Sequence, residues 1–235
     1  MINSISLQHS QFSKSIETLC SLPLFLGISR SDMETILGTV KFDFRKIPSG
    51  KIIYHVNDIN QHVNLLLQGS IEASHRSYDN SIQFNEILTA PVMIGADVLF
   101  GFSPHHTHQY KTKSDTQWIN INKKEITSKL LNYEIFRLNL INHLSLIKQK
   151  QERMLFEPLQ EELPKRFVQY LKHNFLYPAG PKSLDCRQLD LAKALQSSSR
   201  NIGKMLASLS DKKLLKSNRS HISIPIFENL IQTIL

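Results

Sequence analysis

Three side chains near the end of the chain, Ser199, Arg200 and Lys204, have the types and spacing to read base-pair edges. If they stand at the front of a helix, they occupy the end that a recognition helix presents to the major groove. Arg200 is suited to a bidentate bond to guanine, worth about 1–3 kcal/mol of discrimination. Ser198, Arg187 and Lys193 are better placed for phosphates, as are Lys216 and Arg219, and such contacts set register without carrying sequence information. The other cluster with reactive side chains is His105-His106-Thr107-His108. Alternate residues of a strand share a face, so His106 and His108 converge while His105 points away. Two imidazoles make an incomplete zinc site. His55, His62 or His75 would have to add a ligand, and nothing in the spacing brings them there. The preferred reading is a polar strand end without metal or cofactor; a metal-dependent barrel enzyme is the alternative that this cluster alone favours. The serines at Ser197–Ser199 have no G-x-S-x-G context and read as a helix cap, not a nucleophile. Cys20 and Cys186 have no metal-type spacing and read as two reduced thiols.

The segment that must position Arg200 is a pair of helices around a tight turn. Asp185 is placed to cap the first, which buries Leu189, Ala192 and Leu195. Gln196-Ser197-Ser198 forms the turn, and the second helix buries Ile202, Met205, Leu206 and Leu209. Ala192 and Gly203 are small and let the two helices approach. Leu214-Leu215 and Ile222 to Ile224, around Asn218-Arg219-Ser220, read as a β-hairpin wing. Upstream, Leu159 to Phe175 reads as a helix with Leu163, Phe167, Tyr170 and Leu171 at core spacing. The formal net charge is +8, and from Gln160 onward 12 Lys/Arg stand against 6 Asp/Glu, so the excess sits mainly in this last third. A polyanion is the partner such a distribution suits.

The rest of the chain divides into a strand-rich part and a long helix. Ser15 to Leu37 reads as short helices, with Ser29 or Ser31 as a cap. Between Val40 and Ile121 short β-rich runs alternate with turns: Lys51–Tyr54, Val63–Gln68, Ser70–Ser77, Ile82–Leu88, Val92–Ile94 and Trp118–Ile121. This texture predicts an antiparallel barrel or sandwich, with Trp118 in its core. From about Lys124 to Phe156 the spacing is helical, with one stripe at Tyr133, Phe136, Leu140, Leu144, Ile147 and Met154, and a second at Ile135, Leu138 and Ile141. A helix needs one stripe to lie on its own domain. Two stripes leave one for a second copy across a two-fold axis, and Tyr133, Phe136, Leu140, Leu144 and Ile147 are assigned to that dimer interface; the alternative is that both are intramolecular. Glu157-Pro158 breaks the helix. Residues 1–123, 124–157 and 158–235 are therefore expected as a strand-rich domain, a dimerisation helix with hinge, and a helical basic domain. Hydrophobic residues at 41% and charged residues at 20% exclude a disordered chain. Met1 to Ser13 lacks an apolar leader core, and no apolar run nears the roughly 18 residues that span a bilayer, so a cytoplasmic protein without membrane contact is expected.

Over nearly its whole length the chain resembles the CRP/FNR superfamily of bacterial regulators. Ser198-Ser-Arg-Asn-Ile-Gly-Lys-Met-Leu206, then Leu209 and Lys213-Leu-Leu215, is similar to that family's recognition helix and the start of its wing. Ser199, Arg200 and Lys204 fall on the base-reading positions. Leu22-Pro-Leu-Phe25, Pro48-Ser-Gly-Lys-Ile-Ile53 and Leu65-Leu-Leu-Gln-Gly69 match its N-terminal helix, two β-roll strands and a glycine turn. The resemblance implies an α+β fold: an N-terminal antiparallel β-roll of cyclic-nucleotide-binding type (a double-stranded β-helix), a long dimerisation helix and a C-terminal winged helix-turn-helix. It implies a non-enzymatic transcription regulator that binds a near-palindromic operator as a homodimer, with RNA polymerase as a further partner if it activates. The matching effector stretch is Ile94-Gly95-Ala96-Asp97, then His106-Thr107. Here alanine stands for the family's ribose-binding glutamate, and His106 for its phosphate-binding arginine. A mostly neutral imidazole supplies neither a fixed charge nor a fork. A pocket at Gly95, Ala96, His106 and Thr107 is thus expected not to take cyclic AMP, and the effector is unknown; a cyclic-nucleotide or other small-ligand response is the alternative. Two scattered cysteines exclude the family's iron–sulfur branch, while haem-type sensing stays open. A module whose winged helix docks on a protein is the remaining alternative.

Overall fold

Short strands with buried apolar residues and apolar spacing along helices organise residues 17–235, which the computed structural model describes. The expectations for Met1 to Ser13 and for Ser15 lie outside the described residues. After a helical turn at 17–20, Ser29 caps α1 (Arg30–Thr39): its Oγ accepts from Asp32 N at 3.1 Å, and Met33 and Ile36 turn inward. The strands are β1 (Phe42–Ile47), β2 (Ile52–Tyr54), β3 (His62–Gln68), β4 (Ser70–Arg76), β5 (Gln83–Thr89), β6 (Val92–Ile94), β7 (Gln109–Thr112) and β8 (Thr116–Asn122). Then follow α2 (Lys123–Ser128), a 3₁₀ turn, α3 (Glu134–Phe156), α4 (Leu163–Asn174), β9 (Lys182–Asp185), α5 (Gln188–Ala194), α6 (Ser199–Asp211), β10 (Lys216–Ser217), β11 (His221–Ile224) and α7 (Phe227–Ile234). Among the described residues no helix is long and apolar enough to cross a membrane.

The chain forms two compact units, and neither is contiguous in sequence. The first takes residues up to Ile71, Thr89–Thr107 and Lys111–Arg153; the second takes Glu72–Leu88, His108–Tyr110 and Met154–Leu235. The first is built on an antiparallel sheet in the order β1-β8-β3-β6, with Phe42 opposite Ile121, Val63 opposite Ile121 and Asn64 opposite Ile94. Val63, Leu65, Ile119 and Ile121 share a core with Leu22, Phe25, Ile126, Phe136 and Leu140, and Trp118 is also buried. Gly69 turns from β3 to β4 with φ +93°, where a Cβ would lie 2.4 Å from Asp115 O, so only glycine fits.

Most of the stripe assigned from the sequence to a dimer interface turns inward in α3, while Ile147 is half-buried. Phe136 and Leu140 are buried in the first unit's own core, where Phe136 meets Phe25 edge to face at 5.4 Å, and Tyr133 and Leu144 pack against the same cluster. The exposed stripe is the other one: Ile135, Leu138 and Ile141 are 40%, 46% and 53% exposed. The helix needed a stripe for its own sheet, and Phe25 and Ile126 select the one at Phe136 and Leu140.

In the second unit the sheet order is β10-β11-β9-β5-β4, which explains why residues 72–88 depart from the expected contiguous domains. His221, Ile222, Ser223 and Ile224 of β11 face Asp185, Leu184, Ser183 and Lys182 of β9, whose other edge pairs with Gln83, Phe84, Asn85 and Glu86 of β5. Phe84 enters a core of Phe167, Val168, Leu171, Phe175, Leu184, Ile202, Leu206, Ile222 and Phe227. Glu86 and Lys182 make a fully buried ion pair at 2.7 Å, and Glu86 also accepts from Leu176 N at 2.8 Å. Leaving either charge alone would be costly, so the pair fixes the β5–β9 register more than it adds net stability. Helix α4 begins at Leu163 rather than Leu159, with Pro164 in its first turn.

Candidate nucleic-acid interface

Helix α6 carries the three base-reading candidates, and its geometry follows from its sequence. Ser198 is the cap: its Oγ accepts from Asn201 N at 3.2 Å. Ile202, Met205, Leu206 and Leu209 are buried on one side, which turns Arg200 and Lys204 into solvent, with Ser199 half-buried beside them. The first turn of α6 holds no acidic residue, so the positive end of the helix is not offset by its own side chains. Among the described residues neither Arg200 nor Lys204 has a carboxylate partner.

The turn before α6 is tight because Gln196 takes a left-handed conformation, φ +49°. It is pinned from α4 by Arg166, which the sequence reading missed. Arg166 Nη1 donates to Leu195 O at 2.9 Å, while Nε and Nη2 donate to Gln160 O and Glu161 O at 2.8 and 3.0 Å. Its acceptors are backbone carbonyls, so no side-chain spacing signalled it. Helix α5 differs from expectation in two ways. Asp185 ends β9 and does not cap α5, whose cap position is Arg187. Leu189 is 52% exposed, while Leu191 is buried with Ala192 and Leu195. A Cβ built on Gly203 meets only Gln188 Oε1, at an ordinary 3.8 Å, so helix approach does not require that glycine.

The phosphate candidates separate into two groups. Lys193, Lys216 and Arg219 are exposed, as is Ser198; among the described residues none of the three is in a salt bridge, although Lys193 lies near enough to Asp190 to help lower its carboxyl pKa. Arg187 instead spends its fork on Asp190, at 2.7 and 3.0 Å, which holds the Asp190 carboxyl below its usual range. The β10–β11 turn is organised by Asn218, whose Oδ1 accepts from Ser220 N and His221 N at 3.1 and 2.8 Å. The Cys186 thiol in this region is pushed up to about 11 by burial and by the Asp190 and Asp185 carboxylates, so it is an inert thiol.

In the first unit the four effector candidates differ in exposure and neighbours. His106 is buried and stacks on Tyr54 at 4.2 Å, whereas Thr107 is exposed. Ala96 is buried in the core. Gly95 has φ +82°, and a Cβ there would sit 2.9 Å from Asn60 Nδ2. That amide donates to Gly95 O at 2.6 Å, and Tyr54 Oη donates to Asn64 Oδ1 at 2.8 Å. The space beside Gly95 is thus taken by Asn60. Burial lowers the His106 pKa, with Asp97 and Asp58 opposing, so the imidazole is neutral. His108 packs edge-on to His75 at 4.5 Å, so His106 and His108 enter different stacks. No group of three or more His, Cys, Asp or Glu able to hold a metal occurs among the described residues.

No protein-family model matches the sequence, and no curated protein matches it. Among solved structures, the chain is similar to the catabolite activator protein of Thermus thermophilus, at 17% identity and a TM-score of 0.52 over 91% of this chain and 98% of that one. It is also similar to the c-di-GMP-responsive global regulator CLP of Xanthomonas campestris, at 16% identity, TM-score 0.47, over 84% and 99% of the two chains. DNR of Pseudomonas aeruginosa aligns at 16% identity, TM-score 0.42, over 93% and 96%. The last two scores fall below 0.5 and are too low to compare parts of the fold. The first establishes that this chain has the mixed α/β, antiparallel-sheet fold of the catabolite activator protein.

Proposed function

We propose that this chain is a transcription regulator of the CRP/FNR type that binds near-palindromic duplex DNA as a homodimer and does not depend on cyclic AMP. In this reading α5 and α6 form the helix-turn-helix, β10–β11 is its wing, and the protein is not an enzyme. One observation carries it: the capped front of α6 holds Arg200 and Lys204 outward and unpaired by carboxylates among the described residues, while its back is locked into a core. That is the arrangement a helix needs to enter a major groove. Ser199, Arg200 and Lys204 face base edges; Ser198, Lys193, Lys216 and Arg219 meet phosphates. Arg187, already paired, contributes position more than charge. The dimer forms through the exposed Ile135, Leu138 and Ile141. RNA polymerase is a partner if the protein activates.

The test is selection of bound duplexes from a random pool with the full chain, followed by titration of the selected site. Arg200→Ala is expected to lose discrimination at one base pair of each half-site, about 1–3 kcal/mol per position. Failure to enrich any sequence, or an Arg200→Ala protein with wild-type discrimination, would sink the reading.

A further inference from the structure

We infer that the turn joining β4 to β5, residues 77–82, is a second wing that contacts the phosphodiester backbone of the duplex beside the β10–β11 turn. This rests on the DNA-binding reading above and extends it to a segment far away in sequence.

Strand register places the two turns together. His221, Asp185 and Gln83 form one cross-strand row at the end of the second unit's sheet. The β10–β11 turn leaves from the β11 side of that row and the β4–β5 turn from the β5 side. Only β9 lies between them, so two strand spacings put the turns about 10 Å apart. At this same end β9 runs on through Cys186, whose N donates to Ser220 O at 2.9 Å, to the start of α5. Asn80 and Ser81 from one turn, Ser220 from the other, and Asp185, Arg187 and Asp190 between them line a single concavity.

The turn has the chemistry of a backbone reader. Tyr78 is fully exposed, and Arg76 and Asn80 are exposed beside it. A phenol, a guanidinium and an amide are the donors that phosphate oxygens accept from. The turn is stiff: Ser77 N donates to Ile82 O at 2.8 Å, Ile82 N to Ser77 Oγ at 3.0 Å, and Arg76 Nη1 to Asn80 O at 3.3 Å. Little ordering cost therefore opposes binding. The acidic groups at this end are each hydrogen-bonded by neighbours, which orders them without removing their charge. The Ser77 and Ser81 hydroxyls lower the Asp79 carboxyl pKa to about 2, so the Arg76 and Tyr78 donors must outweigh it. Asp79 accepts from the hydroxyls of Ser77 and Ser81, both at 2.7 Å, Asp185 is held by His221 at 2.6 Å and Asn85 at 2.9 Å, and Asp190 is held by Arg187.

The experiment uses the full chain and the selected duplex with extended flanks, titrated at several salt concentrations alongside random duplex. Arg76→Ala/Tyr78→Ala is expected to weaken selected and random duplexes alike, by about threefold to tenfold. It should also flatten the log–log salt slope by about 0.9 for each phosphate that the turn no longer neutralises. Hydroxyl-radical protection should retreat from the outer flank of each half-site. Tyr78→Arg should bind more tightly with a steeper slope, a gain that misfolding would not produce. If wild type binds but both variants match it in affinity, slope and footprint, the second wing is overturned while the DNA-binding reading stands. If wild type holds no duplex, the DNA-binding reading falls, and the second wing with it.

Discussion

Two arginines in the same module show how neighbours decide a side chain's role. Arg200 and Arg187 are both exposed, yet Asp190 occupies the fork of Arg187, and Arg200 has no such neighbour among the described residues. Histidines divide in the same way. Burial lowers the pKa of His106 in one unit and of His75 in the other, against opposing contributions from Asp97 and Asp58 and from Asn174 respectively. In the unfolded chain both titrate near the ordinary value of about 6.5. A depressed folded pKa means that the full stability contribution is present above that value. It is lost as pH falls, because the unfolded chain takes the proton first. Thermal melts between pH 7 and pH 5 should therefore show a falling midpoint, and His106→Phe, which keeps a ring against Tyr54, should flatten that fall. An unchanged pH dependence in the variant would show that His106 is not buried as a neutral ring.

Helix α6 was the most legible element, and its one apparent constraint turned out to be loose. A cap within Ser197–Ser199 and the inward spacing of Ile202, Met205, Leu206 and Leu209 are local properties, so the sequence displays them, though which serine caps is decided by the fold. The role assigned to Gly203 depended on a neighbouring helix, which is not local. With only Gln188 Oε1 near its missing Cβ, at 3.8 Å, Gly203→Ala is expected to stabilise the chain by about 0.5–1 kcal/mol, the helix-propensity difference. Urea denaturation should show a higher midpoint with an unchanged slope. A lower midpoint would mean that α5 and α6 approach more closely there.

For the molecule as a whole, the decisive surface is the outward stripe of α3. Ile135, Leu138 and Ile141 together present an apolar strip that the first unit does not cover. Leu138→Glu with Ile141→Glu puts two charges on that strip without touching Phe136 or Leu140. On the proposed reading, sedimentation velocity should show a wild-type dimer and a monomeric variant, and the variant should lose the affinity for a two-half-site operator that bivalency supplies. Tyr133→Ala would not discriminate in this way, because Tyr133 packs on its own core. A variant that remains dimeric would move the two-fold axis elsewhere.

Periodicity and capping are carried by residues three to seven apart. The helix that carries Arg200, three of the four strands of the first sheet, the long helix and the basic C-terminal third could therefore be read from the chain itself, while β1 (Phe42–Ile47) was missed because it alternates too weakly between apolar and polar residues. Strand pairing is not carried that way. The β5–β9 register joins Asn85 to Asp185 across 100 residues, and nothing local in either segment names its partner. The same holds for the Glu86–Lys182 pair, for the Arg166 bonds to distant carbonyls, and for Asn60 against Gly95. Where two apolar stripes compete on one helix, the pattern alone is symmetric between them. The packing of Phe25 against Phe136 breaks that symmetry, because burial is decided by what lies opposite and not by the spacing along one stretch of sequence.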